Sequence, residues 1–392
     1  MGDFQERLDA GVAAREAAGA VAMLLSSQGQ GPILSAGERV IGSGEPMQPD
    51  TVFWIASMTK AVTSVAALAL VDAGKLQLDA PLDAILPEFS GLEVLEGFTP
   101  DGAPKLRPAR SPVTLRRLLS HTSGFGYPWL SERLGRWQAH SGAGALAPDS
   151  RAAHIQPLEF EPGEGWSYGI GIDWAGLAIE AVTGKRLDAA LDELVLAPLG
   201  MTQTTFFPDA ALEARRAGVH HRLPDGGLMA APFDMPREPE VISGGGGLFS
   251  TASDYARFLR MLLRGGELDG VRILSEALAA ELGRVQTGPH RAGAFAAAPS
   301  GLAREFDLYP DMHTGFGLVG MITPQACASG RGAGAISWAG LFNTYFWIDP
   351  EADLGGLLLT QTAPFADEGA LSLYRAFEAH AYAAQARGGT AG

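Results

Sequence analysis

Two places in this 392-residue chain set reactive side chains at a spacing that could do chemistry. The first is Ser57-Met58-Thr59-Lys60, at the head of the run SMTKAVTSVAALALVDAGKL. Three residues make just under one helical turn, so Ser57 and Lys60 share a face and the amine can influence the hydroxyl. A serine at a helix N-terminus also has free backbone N–H groups beside it, able to support a developing oxyanion. The plain alternative is an N-capping serine followed by a solvated lysine. Against it, the lysine lies one turn into a helix that is apolar all round, where solvation is hard. The chemistry on offer is attack by an activated hydroxyl.

The second place is GWSYG, residues 165 to 169, which reads as G-x-S-x-G with Ser167 at its centre. A nucleophile elbow of that pattern needs a buried strand before it and an acid and a histidine downstream. The preceding LEFEPGEG makes a poor strand, and a chain with 51 glycines meets the spacing by chance. Ser167 is therefore not expected to react. Its neighbour Tyr168 would pass for a loop aromatic on its own, and becomes a candidate base only beside Ser57 and Lys60. Trp338-Ala339-Gly340 ends one strand-like run and precedes another. A strand beside a nucleophile can present a second oxyanion N–H, and a tryptophan can form an apolar wall, although Trp338 alone reads as core.

The elements that must position these residues are legible in outline. After an acidic N-terminal helix, AVAMLLSS and PILSAGERVIG flank QGQG as an antiparallel hairpin. The helix from Ser57 is buried and ends near Gly74. Residues 86–235, rich in Pro and Gly, read as a mostly helical insertion. SGGGGLFSTASDYARFLRMLLRGG is a glycine-rich loop feeding a helix, with Thr251 and Asp254 at capping-box spacing. GAISWAG, NTYFWID and GGLLLTQT are three strands, the last two joined by DPEAD, and 366–387 is a final helix. The fold class is α+β: an antiparallel sheet closed by distant segments and flanked by N- and C-terminal helices. Residues 1–85 and 236–392 form the sheet-bearing domain, and 86–235 the inserted one.

Composition narrows the partners. Hydrophobic residues at 46% and charged ones at 19% describe an ordinary globular protein. With 29 Lys and Arg against 44 Asp and Glu the net charge is −15, which argues against nucleic acid and anionic membrane. No apolar run reaches membrane-spanning length. The acidic start lacks the basic and apolar runs of a secretory signal, so a cytoplasmic location is expected. One cysteine, Cys327, excludes an internal disulfide, and the adjacent His220 and His221, with no H-E-x-x-H, give no zinc pattern. No metal or cofactor is expected, and no oligomeric state is specified.

Taken in order, S-x-x-K, LLSHTSGFGY, EPG followed by Tyr168, GGGGLFSTASDYARFL and WAG resemble the serine hydrolases of the penicillin-recognising superfamily. The resemblance is to class C β-lactamases and their esterase relatives, the family VIII carboxylesterases, from about Ala20 to the last helix. It implies Ser57 as nucleophile, Lys60 and Tyr168 as the activating pair, and the N–H groups of Ser57 and Leu341 as oxyanion hole. The lactamase Tyr-x-Asn appears as Tyr168-Gly169-Ile170, and Lys-Thr-Gly as Trp338-Ala339-Gly340. Loss of both polar anchors points to small uncharged esters, with Trp338 and Gly340 at the substrate. A β-lactamase, a D-Ala-D-Ala peptidase, an acyltransferase of the same fold and an inactive binding relative are the alternatives.

Tyr127 and Trp129 line the acyl or alcohol pocket in this reading, or simply pack in the core. His121, in HTSG, reads as part of a structural turn, and Glu161, Glu164 and Asp173 as solvated or capping acids. Unperturbed Tyr and Lys titrate near ~10 and ~10.4, so a base at neutral pH needs a shift of about three units, roughly 4 kcal/mol. Such a pair titrates together, and either member could carry the proton.

Overall fold

The strand runs are almost wholly apolar because the sheet they form is covered on both faces. In the computed structural model, which describes residues 2–388, β1 (Gly19–Leu25) and β2 (Gln30–Gly37) make the expected hairpin. The remaining strands are β3 (Gly315–Phe316), β4 (Met321–Ile322), β5 (Ile336–Gly340), β6 (Thr344–Asp349) and β7 (Leu354–Leu359). They complete a sheet of order β3-β4-β5-β6-β7-β1-β2, antiparallel throughout. β1 pairs with β7 in the register Val21↔Leu359, so the two ends of the chain meet in mid-sheet.

Successive strand residues point to opposite faces. Val21, Met23, Phe346, Ile348, Leu357 and Leu359 enter one core, while Ala20, Ala22, Tyr345, Trp347 and Leu358 enter the other. The helices that bear on the two cores include α1 (Gly2–Ala13), α2 (Thr59–Asp72), α3 (Leu115–Leu119), α4 (Gly171–Thr183), α5 (Ala252–Leu263) and α6 (Glu368–Gly388); the helix Glu132–Ser141 lies outside both. α1 and α6 close the second core through Phe4, Leu8, Tyr374 and Phe377. α2, α4 and α5 build the first, and every residue of α2 from Thr59 to Leu68 is buried. Among the described residues no helix is long and apolar enough to cross a membrane.

Segment 86–235 holds α3, α4 and several further helices, the ten-residue Glu132–Ser141 among them, and also two hairpins that its Pro and Gly content concealed. Glu93–Phe98 pairs with Pro104–Pro108, and Val219–Arg222 with Leu228–Ala231. The second hairpin continues in parallel to Thr362–Ala363, near the other end of the chain. Ahead of α5 the capping box is one-sided. Thr251 Oγ1 accepts the Asp254 N–H, but the Asp254 carboxylate turns away to the Gln203 N–H and the Thr204 hydroxyl.

Trp347, fully buried, packs edge-on against Tyr374 and Phe377. Its ring fills the space over Gly356 on β7, where a Cβ would overlap it. Gly356→Ala is accordingly expected to lower stability by about 1–3 kcal/mol, the usual cost of overpacking a core, read as an earlier urea midpoint with an unchanged slope.

Candidate active site

Ser57 sits on a single 3-10 turn, Ala56–Met58, that feeds α2. Its hydroxyl does not cap the helix: the N-cap position is Met58, which makes no side-chain bond. The backbone is bent sharply just before it, for Ala56 has φ +44°, a left-handed conformation that costs an L-residue about 1–2 kcal/mol. The surroundings enforce that bend. Ile55 donates its N–H to Leu248 O, the Phe53–Trp54 strand pairs with Phe249–Ser250, and Thr344 Oγ1 donates to Ile55 O.

Lys60, 2% exposed, is far from the solvated lysine of the plain reading. An ammonium has three donors, and Lys60 Nζ uses all three: Ser57 Oγ at 3.1 Å, Tyr127 OH at 3.0 Å and Gly245 O at 2.6 Å. Burial works against its charge, but the tyrosine oxygens of Tyr127 and Tyr168 and the carboxylate of Asp173 outweigh it, and the pKa rises above the ordinary lysine value. At Tyr127 burial dominates and pushes the phenol up, with the lysine's charge opposing. Lys60 is thus the charged member of the group and Tyr127 is a neutral phenol.

Tyr168 lies on the other side of the lysine, whose Nζ stands 4.8 Å from the Tyr168 ring centroid. Its hydroxyl oxygen receives the Trp338 indole N–H at 3.1 Å. Trp338, expected as a plain apolar wall, is therefore also a hydrogen-bond donor to the candidate base. The G-x-S-x-G spacing dissolves into packing requirements around Tyr168. Ser167 donates its hydroxyl to Glu159, which also takes the Ser131 hydroxyl. A Cβ at Gly165 would meet the Phe160 ring at 2.9 Å, and one at Gly169 would collide with the backbone of Phe125 and Gly126. That last approach presses the Tyr168 and Tyr127 segments together, so both phenols reach Lys60.

Leu341 follows β5, and its backbone N–H has no hydrogen-bond partner among the described residues. The turn is fixed by Asn343, at φ +60°, whose amide donates to Thr362 O and Pro364 O while Tyr345 OH donates to its oxygen. Gly340 lines the cleft, yet the reason for a glycine there is packing: a Cβ would collide with Ile55 O and Thr344 Oγ1, just upstream of Ser57. A cleft of about 760 Å³ opens over Ser57, Tyr127, Trp129, Tyr168, Trp338 and Leu341. Its walls are largely apolar, with the aromatic rings of Trp54, Phe206, Phe233, Phe295 and Phe306 among them.

Two acids differ from the sequence reading. Asp173, 3% exposed, accepts the Gly245 N–H at 2.9 Å and the Ser243 hydroxyl at 2.8 Å, so it aims the Gly245 carbonyl at Lys60. An acid one turn into the apolar run GIDWAGLAIEAV was the available signal. Glu161 is buried and binds the Arg107 guanidinium and the N–H groups of Arg110 and Ser111. The Tyr127 contact to Lys60 had no local signal, since 67 residues separate the two.

A left-handed turn carrying a serine one helical turn ahead of a buried lysine, with tyrosines on the lysine and an unpaired N–H just past β5, is an arrangement able to do the chemistry of a serine hydrolase. The β-lactamase family model matches residues 4–381, and the chain belongs to that family. It is 33% identical over 371 residues to the lovastatin esterase of Penicillium rubens, covering 90% of each chain. With the monacolin J acid methylbutanoyltransferase of Aspergillus terreus it shares 32% over 364 residues, 88% of this chain and 84% of that one. The unliganded simvastatin synthase of Aspergillus terreus superposes with TM-score 0.85 at 30% identity, covering 98% of both chains. The protein is an enzyme with the acyl-transfer chemistry of serine hydrolases.

Glu161 makes the loop before Tyr168 sensitive to acid. Burial opposes its charge, but Arg107 and the two backbone N–H groups win and lower the pKa from the usual 4.5 to about 2. A depressed folded-state pKa gives stability that is present above pH 4.5 and lost as pH falls toward 2. Melting curves over that window should show the wild type losing an increment that Glu161→Gln never has; parallel curves would refute the linkage.

Proposed function

We propose that this hydrolase is a carboxylesterase that forms an acyl-enzyme on Ser57 and acts on uncharged esters carrying a bulky apolar group. The observation that carries the reading is the Lys60 ammonium, bonded to Ser57 Oγ and flanked by two phenols. A lysine held as a cation cannot take the serine proton, so the base is a tyrosine whose anion the lysine stabilises. Tyr168 fits that role, because the indole N–H of Trp338 already points at its oxygen and would stabilise the phenolate form. Ser57 Oγ attacks the ester carbonyl as its proton passes to the Tyr168 phenolate, which becomes a neutral phenol beside the Lys60 ammonium. The Ser57 and Leu341 N–H groups hold the oxyanion, and the proton moves on to the departing alkoxide. Water, activated at the same tyrosine, then releases the acid.

The cleft supports a larger substrate than the short-chain esters that the motifs alone imply. Its volume falls within the range of pockets that engulf drug-sized ligands. The relatives named for lovastatin and monacolin J acid point the same way. Among the described residues no Lys or Arg lines the cleft, which leaves a β-lactam carboxylate without a partner. Transfer of the acyl group to an alcohol is the second reading, favoured by the similarity to a methylbutanoyltransferase and by room for an acceptor.

Nitrophenyl butyrate turnover and fluorophosphonate labelling test the assignment. Ser57→Ala is expected to abolish both, with the label found on Ser57 in the wild type, whereas Ser167→Ala stays active. Tyr168→Phe and Lys60→Ala should each lower kcat by about 10²–10⁴-fold, the scale of general acid–base catalysis. A label on Ser167 would overturn the mechanism. Adding a short alcohol separates the two readings: ester product in place of acid marks a transferase, and unchanged acid release a hydrolase.

A further inference from the structure

His121, in the HTSG segment, stands outside the mechanism just given, yet three of its contacts converge on Tyr168 and its two chain neighbours. It follows α3 and adopts φ +58°, a left-handed conformation in which histidine and asparagine are enriched among non-glycine residues. Its backbone carbonyl accepts the Ser167 N–H at 3.0 Å, and its ring nitrogen Nδ1 accepts the Gly169 N–H at 3.4 Å. The residues immediately before and after Tyr168 are thus bonded to one histidine. The imidazole also packs on the Tyr168 ring, centroid to centroid 4.7 Å.

We infer that His121 is a positioning residue for the catalytic tyrosine, clamping the Tyr168 backbone from both sides while Trp338 fixes its hydroxyl. The tautomer is set by the Gly169 contact: Nδ1 must be free of hydrogen to accept, so Nε2 carries it. That Nε2 is buried and has no hydrogen-bond partner among the described residues. Burial, aided by the charge of Lys60, holds the imidazole neutral and so preserves the acceptor. The neighbouring residues of the turn are stitched to the same loop, Thr122 O taking the Gly163 N–H and Gly124 O the Glu159 N–H, so the clamp is rigidly mounted.

The inference rests on Tyr168 as base, and a double-mutant cycle separates the two claims. His121→Gly keeps the left-handed backbone but removes the acceptor and the ring. It should lower kcat for nitrophenyl butyrate about tenfold or more, as misplacement of a catalytic group does, with KM within about twofold. His121→Asn, whose amide oxygen can accept and which tolerates the same φ, should stay within about threefold of wild type. In a Tyr168→Phe background, His121→Gly should cost less than about twofold further, since a residue acting through Tyr168 has nothing left to position. Multiplying losses, an asparagine variant as poor as glycine, or a fully active glycine variant would each overturn the proposal. If the glycine variant is only partly folded, the rate of fluorophosphonate labelling of Ser57, taken on the folded fraction by mass spectrometry, gives the same comparison. Full activity in Tyr168→Phe alone would sink the base assignment and this inference together. Loss there with multiplying effects would sink only this one.

Discussion

The structure depends on one cation. Lys60 is buried in a helix that is apolar on every side, and a buried ammonium is tolerated only when its donors and its charge are both answered. Its three acceptors come from three separate parts of the chain: the turn before α2, the segment after HTSG, and the glycine-rich loop. Asp173 supplies the opposing charge from α4 and fixes the third acceptor, because the residue that gives its carbonyl to Lys60, Gly245, gives its N–H to the carboxylate. Placing the lysine therefore places Ser57, Tyr127 and Gly245 relative to one another. The geometry of the candidate site follows from answering one charge with protein groups.

Bringing three loops to one nitrogen leaves little room between backbones, and glycines sit where the approach is closest. Gly169 lets the Tyr168 segment lie on Phe125 and Gly126, Gly340 lets β5 lie against Ile55, and Gly245 leaves space for the Asp173 carboxylate. None of the three needs a positive φ; each is required by what a side chain would strike. This explains why the chain's glycine-rich stretches cluster around the site without forming a phosphate cradle, and how G-x-S-x-G can arise there from packing alone. Its first and last glycines make room, its serine anchors a carboxylate, and only the residue between serine and final glycine faces Lys60.

What the sequence disclosed was what short-range periodicity encodes. The Ser57–Lys60 pair was legible because three residues on a helix are neighbours whatever the tertiary structure, and the strands because a sheet covered on both faces leaves apolar runs. The likeness to a known family then added Tyr168 and Leu341, which no spacing singles out. Contacts that close over long separations were not legible: Tyr127 on Lys60 and Trp338 on Tyr168. Burial of the acids failed for the same reason, since nothing local says that Glu161 will meet Arg107 from a hairpin hidden among prolines and glycines. The hairpins themselves were missed because their flanking Pro and Gly read as loop.

A tryptophan where lactamases carry a cation changes how the cleft chooses. A cation would attract a substrate carboxylate, whereas the Trp338 N–H is already committed to Tyr168 and offers nothing to an anion. The charges that remain on the cleft are acidic: Asp173 is answered by Lys60, Asp234 by Arg216 at 3.1 Å, and Asp149 by no ion pair among the described residues. A substrate carboxylate brought within about 8 Å of Asp149 would meet a repulsion of about 2 kcal/mol at an effective dielectric of ~20. That corresponds to roughly thirtyfold in affinity, before the penalty of desolvating an anion against aromatic walls. Exclusion of anions and burial of apolar surface then act in the same direction. On the proposed function, the pocket would favour neutral esters as much by what its charges repel as by what its rings cover.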